Sequence, residues 1–211
     1  MLKINFLGDS ITEGCCADKV ENNYVSLVGT LLPALTRNYG IGGTRLAHQK
    51  IDDGQDLYYA SRVDLMDHDA DLMFVFGGTN DYGHGNAPLG EVKDSTLDSY
   101  CGSINVLIDK LLEHYKKERI IFILPLHRIN ENNPYGDGSK KEISASLNTY
   151  ISLLVDILNI RGIKYVDFRN DFGEAENNPY FADGLHPSNE GHRFLAELIC
   201  KYIKENFNNL I

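Results

Sequence analysis

Residues 3–14 read KINFLGDSITEG, an apolar run that stops at a glycine and turns straight into Asp-Ser. The run fits a short strand, and Gly, Asp and Ser are turn formers for backbone reasons alone. On that reading Ser10 only helps the chain turn. On another, it is a nucleophile presented at the carboxyl end of the first strand of a parallel sheet, the edge where open α/β folds bind their ligands. The choice depends on what the rest of the chain brings to the same edge.

Four more apolar runs recur along the 211 residues, at 35–40 (LTRNYG), 72–77 (LMFVFG), 120–125 (IIFILP) and 163–168 (IKYVDF). Five strands are expected. The runs at 35–40, 72–77 and 120–125, bounded by Gly or Pro, are expected to be buried on both faces. Stretches of helical period fall between and after the runs, at about 23–33, 56–67, 95–117, 139–161 and 188–206. In the third, Ile104, Leu107, Ile108, Leu111 and Leu112 line one face. Strands alternating with helices predict βαβ units, a parallel sheet and a three-layer α/β/α sandwich. The length suits one domain spanning 1–211, with no repeat or linker.

Composition narrows the function classes. The chain is 43% hydrophobic and 24% charged, an ordinary globular balance with no apolar run long enough for a bilayer. Residues 1–8 lack the features of a secretory signal, so the expected compartment is the cytoplasm. Thirty acidic against twenty basic residues give a net charge of −10, which repels nucleic acid and anionic lipid. Cys15, Cys16, Cys101 and Cys200 form no CxxC pair and no zinc spacing, and are read as thiols without a role.

Three further segments fall where the functional edge should be: NYGIGGTRL (38–46), FGGTNDYG (76–83) and DGLHPSNEGH (183–192). A serine hydroxyl needs a base within hydrogen-bond reach, and the base needs a group that fixes its tautomer. Asp183 and His186, three residues apart, can make that pair. Pro187 is suited to begin the last helix and to hold His186 at a loop-to-helix junction. Acyl transfer also needs donors for a developing oxyanion, and Gly43 and Asn80 offer a backbone N–H and a side-chain amide. Each segment alone is equally well a turn or a cap. Their joint placement at successive carboxyl edges favours a site. Asp9 and Asp81 are read as loop-holding carboxylates, and His192 as a helix-surface residue.

The blocks GDSITEG, GGTND and DGLHP, in this order and with NYGIGG between them, resemble those of the GDSL-type esterases and lipases, the SGNH hydrolase superfamily. The resemblance runs from residue 5 to about 192. It implies a flavodoxin-like sandwich with a central parallel sheet and a serine hydrolase that uses no metal or cofactor. It implies Ser10 as nucleophile, His186 as base and Asp183 as its orienting group, with oxyanion donors from the Ser10 N–H, Gly43 and Asn80. Gly43 is preferred to Gly42 because it lies five residues after Asn38.

Rival motifs fail: Thr12 stands where Gly-x-Ser-x-Gly needs glycine, and Arg45 breaks G-x-G-x-x-G. The expected partner is a small ester, with an acetyl ester of a sugar or other polar alcohol preferred. The loops at 82–95 and 127–139 are polar, and Tyr82, Tyr135 and Tyr180 are candidates to stack on a sugar ring. A lysophospholipase or thioesterase acting on longer chains is the alternative, drawing apolar surface from Phe172, Phe181 or Leu89. A catalytically inactive binding module on the same fold is the alternative of another class.

Overall fold

The computed structural model describes residues 1–49 and 56–211. Strands β1 (Lys3–Gly8), β2 (Leu35–Gly40), β3 (Leu72–Phe76), β4 (Ile120–Ile123) and β5 (Lys164–Val166) pair in the order β2-β1-β3-β4-β5, all parallel. This is the doubly wound, flavodoxin-like order, whose switch point lies between β1 and β3. Alternate residues of each central strand feed opposite cores. Ile4, Phe6, Leu72, Phe74, Phe76, Ile121 and Ile123 face one side, and Leu7, Met73, Val75, Ile120 and Phe122 the other.

Among the described residues the helices are α1 (Ser10–Glu13), α2 (Tyr24–Leu31), α3 (Tyr59–Arg62), α4 (Thr79–His84), α5 (Tyr100–His114), α6 (Leu147–Arg161), α7 (Arg169–Phe172) and α8 (Asn189–Asn206). Helices α2 and α8 cover the first core with Tyr24, Val25, Val28, Leu195, Ile199 and Ile203. Helices α3, α5 and α6 cover the second with Tyr59, Ile104, Leu107, Ile108, Leu111, Leu154 and Leu158. The result is the expected α/β/α sandwich. No helix among the described residues is long and apolar enough to cross a membrane.

Three expectations change. Strand β2 is not buried on both faces: it is the sheet edge, half-exposed, with Arg37 paired to Asp67 and Asp69. Its place in the buried interior is taken by β1, because the chain crosses back over β1 to lay down β3. The helix expected over 139–161 begins only at Leu147. Before it, the Lys140 ammonium reaches inward to the Asp81 carbonyl at 3.0 Å and the Tyr150 hydroxyl at 3.0 Å, tying the segment down as loop. The helix expected from 95 starts at Tyr100, because the Asp94 carboxylate accepts from the Ser99 hydroxyl and the Glu91 N–H, while Ser99 caps the helix.

Candidate active site

The carboxyl ends of the strands align: Gly8 is level with Gly40 and with Phe76, and Phe76 with Ile123. Ser10 therefore follows β1, and Asn80 follows β3, on either side of the switch point. Asp9 caps α1, its Oδ1 accepting the Ile11 N–H at 3.0 Å. Ser10 is the first residue of that helix, where backbone N–H groups have no intrahelical acceptor. Its own N–H has no partner among the described residues. Helix α1 crosses the end of β2 so closely that a Cβ on Gly40 would lie 2.1 Å from the Glu13 nitrogen, which requires glycine there.

His186 arrives from the far end of the sequence. Residues 180–188 fold back on themselves: Ala182 N–H donates to the His186 carbonyl at 2.9 Å, and Ser188 N–H to the Tyr180 carbonyl at 2.9 Å. Pro187 lies in this small bridge opposite Phe181, and Ser188, not Pro187, caps α8 by accepting the Gly191 N–H. The Asp183 Oδ1 accepts the backbone N–H groups of Leu185 (3.0 Å) and His186 (2.7 Å). Its Oδ2 lies 2.7 Å from His186 Nδ1, and His186 Nε2 lies 2.9 Å from the Ser10 Oγ. Burial works to raise the Asp183 carboxyl, but the hydrogen bonds from His186 and Leu185 outweigh it and hold the group below the usual carboxylate range. With Nδ1–H donated to Asp183, the lone pair of Nε2 is free to accept the Ser10 proton.

The glycine turn sits against the serine. A Cβ on Gly42 would come 3.7 Å from Ser10 Cβ, and the Gly42 N–H is taken by the Glu13 carboxylate at 3.1 Å. Gly43, at φ 73°, leaves its N–H without a partner among the described residues. Asn80 is buried and donates one amide hydrogen to the Thr44 carbonyl at 3.0 Å, next to Gly43, which leaves the second amide hydrogen uncommitted. Among the described residues the Ser10 N–H, the Gly43 N–H and one Asn80 amide hydrogen are thus uncommitted, and the first belongs to the hydroxyl–imidazole–carboxylate row itself. Such an arrangement can deprotonate a hydroxyl and stabilise an oxyanion formed beside it.

Asp81 accepts from the Leu46 and Ala47 N–H groups at 3.0 and 2.9 Å, and so fixes the chain that follows the glycine turn. Burial pushes its carboxyl up to about 6 against those two bonds. Asp9 and Asp81 are loop-holding groups, as their positions suggest. His192 is not on the surface. It is fully buried, accepting the Tyr24 N–H at Nδ1 and donating Nε2–H to the Cys15 carbonyl at 3.0 Å. Tyr82 is also buried, its hydroxyl donated to the Asn130 and Asn133 carbonyls, and Tyr180 stacks on Phe194 at 4.6 Å. Of the three proposed stacking tyrosines, Tyr135 alone is exposed. Phe172 and Phe181 are core residues, and Leu89 packs against the second core.

Sequence reasoning missed Glu13 and Thr44, which hold the Gly42 N–H and the Asn80 amide. Thr44 acts through its carbonyl, which carries no side-chain signal; Glu13, one helical turn after Ser10, was the readable one. It also missed Cys15 and Cys16, whose thiols lie beside His186.

A comparison with curated proteins found no match. Among solved structures, a protein from Lactobacillus plantarum is 24% identical with a TM-score of 0.82, covering 98% of each chain. A carbohydrate acetylesterase family member from Sinorhizobium meliloti is 18% identical with a TM-score of 0.70, covering 99% of this chain and 100% of its own. An aryl esterase from M. smegmatis is 13% identical with a TM-score of 0.74, covering 98% and 100%. At these identities the likeness is one of fold. The GDSL-like Lipase/Acylhydrolase family model, in contrast, matches the sequence itself over residues 6–194, taking in every block named above. The chain belongs to that family.

Proposed function

We propose that the protein is a serine esterase, one hydrolase domain over 1–211, acting on small acyl esters through an acyl-enzyme. The observation that carries the reading is the continuous row from the Ser10 Oγ through His186 to Asp183, at 2.9 and 2.7 Å. His186 Nε2 takes the Ser10 proton as Oγ attacks the ester carbonyl. The tetrahedral oxyanion is met by the Ser10 N–H, the Gly43 N–H and the free Asn80 amide hydrogen. The imidazolium, held by Asp183, then protonates the leaving alcohol. Water activated by the same imidazole releases the acid and restores Ser10.

A short acyl group, acetyl above all, on a sugar or other polar alcohol is the preferred substrate. A long acyl chain needs about 0.8 kcal/mol of burial per methylene. Phe172, Phe181 and Leu89, the apolar residues that would supply it, are occupied by the core. The acetylesterase named among the similar structures fits this preference.

The test is turnover of p-nitrophenyl acetate, butyrate, octanoate and palmitate by wild type and Ser10→Ala. We expect kcat/KM to drop sharply beyond butyrate, activity to vanish in the variant, and an organophosphonate to label Ser10. A steady rise with chain length makes the protein a long-chain enzyme instead. No turnover of any ester, with no labelling, leaves a binding module.

A further inference from the structure

Residues 14–16 follow α1 as a tight turn. The Gly14 and Cys15 N–H groups both donate to the Ser10 carbonyl, at 3.0 and 2.8 Å, and buried His192 holds the Cys15 carbonyl. Cys16 has φ 68°, a left-handed backbone rare for a residue with a side chain. Neighbouring side chains on an extended chain point apart; this turn brings them together. The two Sγ atoms lie 3.8 Å apart, and each is within 4.8 Å of a ring nitrogen of His186.

The two sulfurs stand at the contact distance of two free thiols, and serving as ligands to one cation would bring them no closer. Two thiolates bound to one tetrahedral zinc ion at about 2.3 Å sit about 3.8 Å apart, which matches the observed distance. The histidine is also prepared. A carboxylate on one ring nitrogen is the usual support for a metal on the other; Asp183 holds Nδ1, and Nε2, which meets the Ser10 hydroxyl at 2.9 Å, is the nitrogen a metal would take over from Ser10. Cys16 is exposed and Cys15 half-exposed, so the position is open to solvent, and a chain of net charge −10 draws cations to it.

We propose that Cys15, Cys16 and His186 form a site for Zn²⁺ or another thiophilic divalent cation, and that its occupation switches the esterase off. Binding displaces one proton from each thiol to solvent and forms two metal–sulfur bonds and one metal–nitrogen bond. A water completes the tetrahedron, and no electron moves. The Nε2 lone pair then belongs to the metal, so Ser10 has no base. The binding stands on the cluster alone; the inhibition rests on the esterase reading.

Wild type and the Cys15→Ser/Cys16→Ser double variant are titrated with buffered free Zn²⁺ while p-nitrophenyl acetate hydrolysis is followed. In parallel both are titrated with Co²⁺ while thiolate-to-metal absorption is followed. The double variant should keep its basal activity, since neither thiol takes part in the reaction. Outer-shell partners alone change metal affinity by about 10- to 100-fold, so losing two ligands should move the inhibition midpoint by more than about a hundredfold. Wild type should show the thiolate band, lose activity with Zn²⁺ and regain it with EDTA, and His186→Ala should weaken the band. Equal midpoints in the two proteins, or no thiolate band in wild type, overturn the site. A thiolate band in a protein that hydrolyses no ester supports the metal site and refutes the esterase reading, so the two fail separately.

Discussion

Replacing Asp9 by Asn should make folding much less sensitive to rising pH. The Asp9 side chain is buried, its Oδ1 caps α1, and its Oδ2 has no partner among the described residues. Burial pushes the carboxyl from 3.8 up to about 7, against the Ile11 N–H, which favours the charged form. Because the folded value lies above the unfolded one, the unfolded chain gives up a proton across pH 4–7 that the fold retains. Stability therefore falls as pH rises through that window, and the loss is complete above it. Raising the carboxyl from 3.8 to about 7 corresponds to about 4 kcal/mol at pH 8, of which about 2 kcal/mol is already lost at pH 5. Asn keeps the capping oxygen and removes the charge. Urea unfolding of both proteins at pH 5 and pH 8 should show the variant's advantage growing by about 2–3 kcal/mol, or about 5–10 °C in Tm. Asp81, raised to about 6, acts with the same sign in both proteins, and because its charge helps to raise Asp9 the variant also relieves Asp81, which adds to the difference in the same direction. An advantage that stays constant between the two pH values, or reverses, refutes the reasoning.

Asn80→Ala should lower kcat by about 10²- to 10³-fold with little change in KM, the loss of one oxyanion donor; a change confined to KM would place Asn80 in ground-state binding. Asp183→Asn should lower kcat by about 10³- to 10⁴-fold, because an amide stabilises the wrong imidazole tautomer; a wild-type rate would pass the orienting role to another carboxylate, such as Asp171. Gly43→Ala meets no atom within 4 Å yet must hold φ 73°, so about 1 kcal/mol of stability should be lost. Its kcat should fall by more than that stability loss accounts for, as the N–H is displaced from the oxyanion, and undiminished kcat would exclude Gly43 as a donor.

The sandwich was legible because strand runs bounded by glycine alternate with long helical stretches, and burial on both faces leaves a strong local mark. Edge position leaves none: LTRNYG differs from an interior strand only through the order in which strands are laid down, which no local pattern records. Helix starts were misplaced at 95 and 139 because Asp94, Ser99 and Lys140 make long-range or capping bonds that hold helix-forming residues in loops. His192 and Tyr82 misled for a related reason. Each has a polar atom that suggests exposure, and each is buried because a backbone partner distant in sequence satisfies that atom. The residues of the proposed site stood out because glycine, asparagine, aspartate and histidine cluster just past the strands. The thiols did not, because a ligand set divided between two distant segments, as proposed for Cys15, Cys16 and His186, leaves no spacing pattern along the chain.

The separation of 176 positions between Ser10 and His186 also bears on how the molecule is made. Synthesis delivers the serine well before its histidine, which comes just ahead of α8, the helix whose Leu195, Ile199 and Ile203 close the core over β1 and β3. Domains acquire their packing as units while the chain emerges, so a partly translated chain carries the nucleophile with nothing to draw off its proton. On the proposed reading, ester turnover therefore reports only molecules in which the segment carrying His186 has folded against β1.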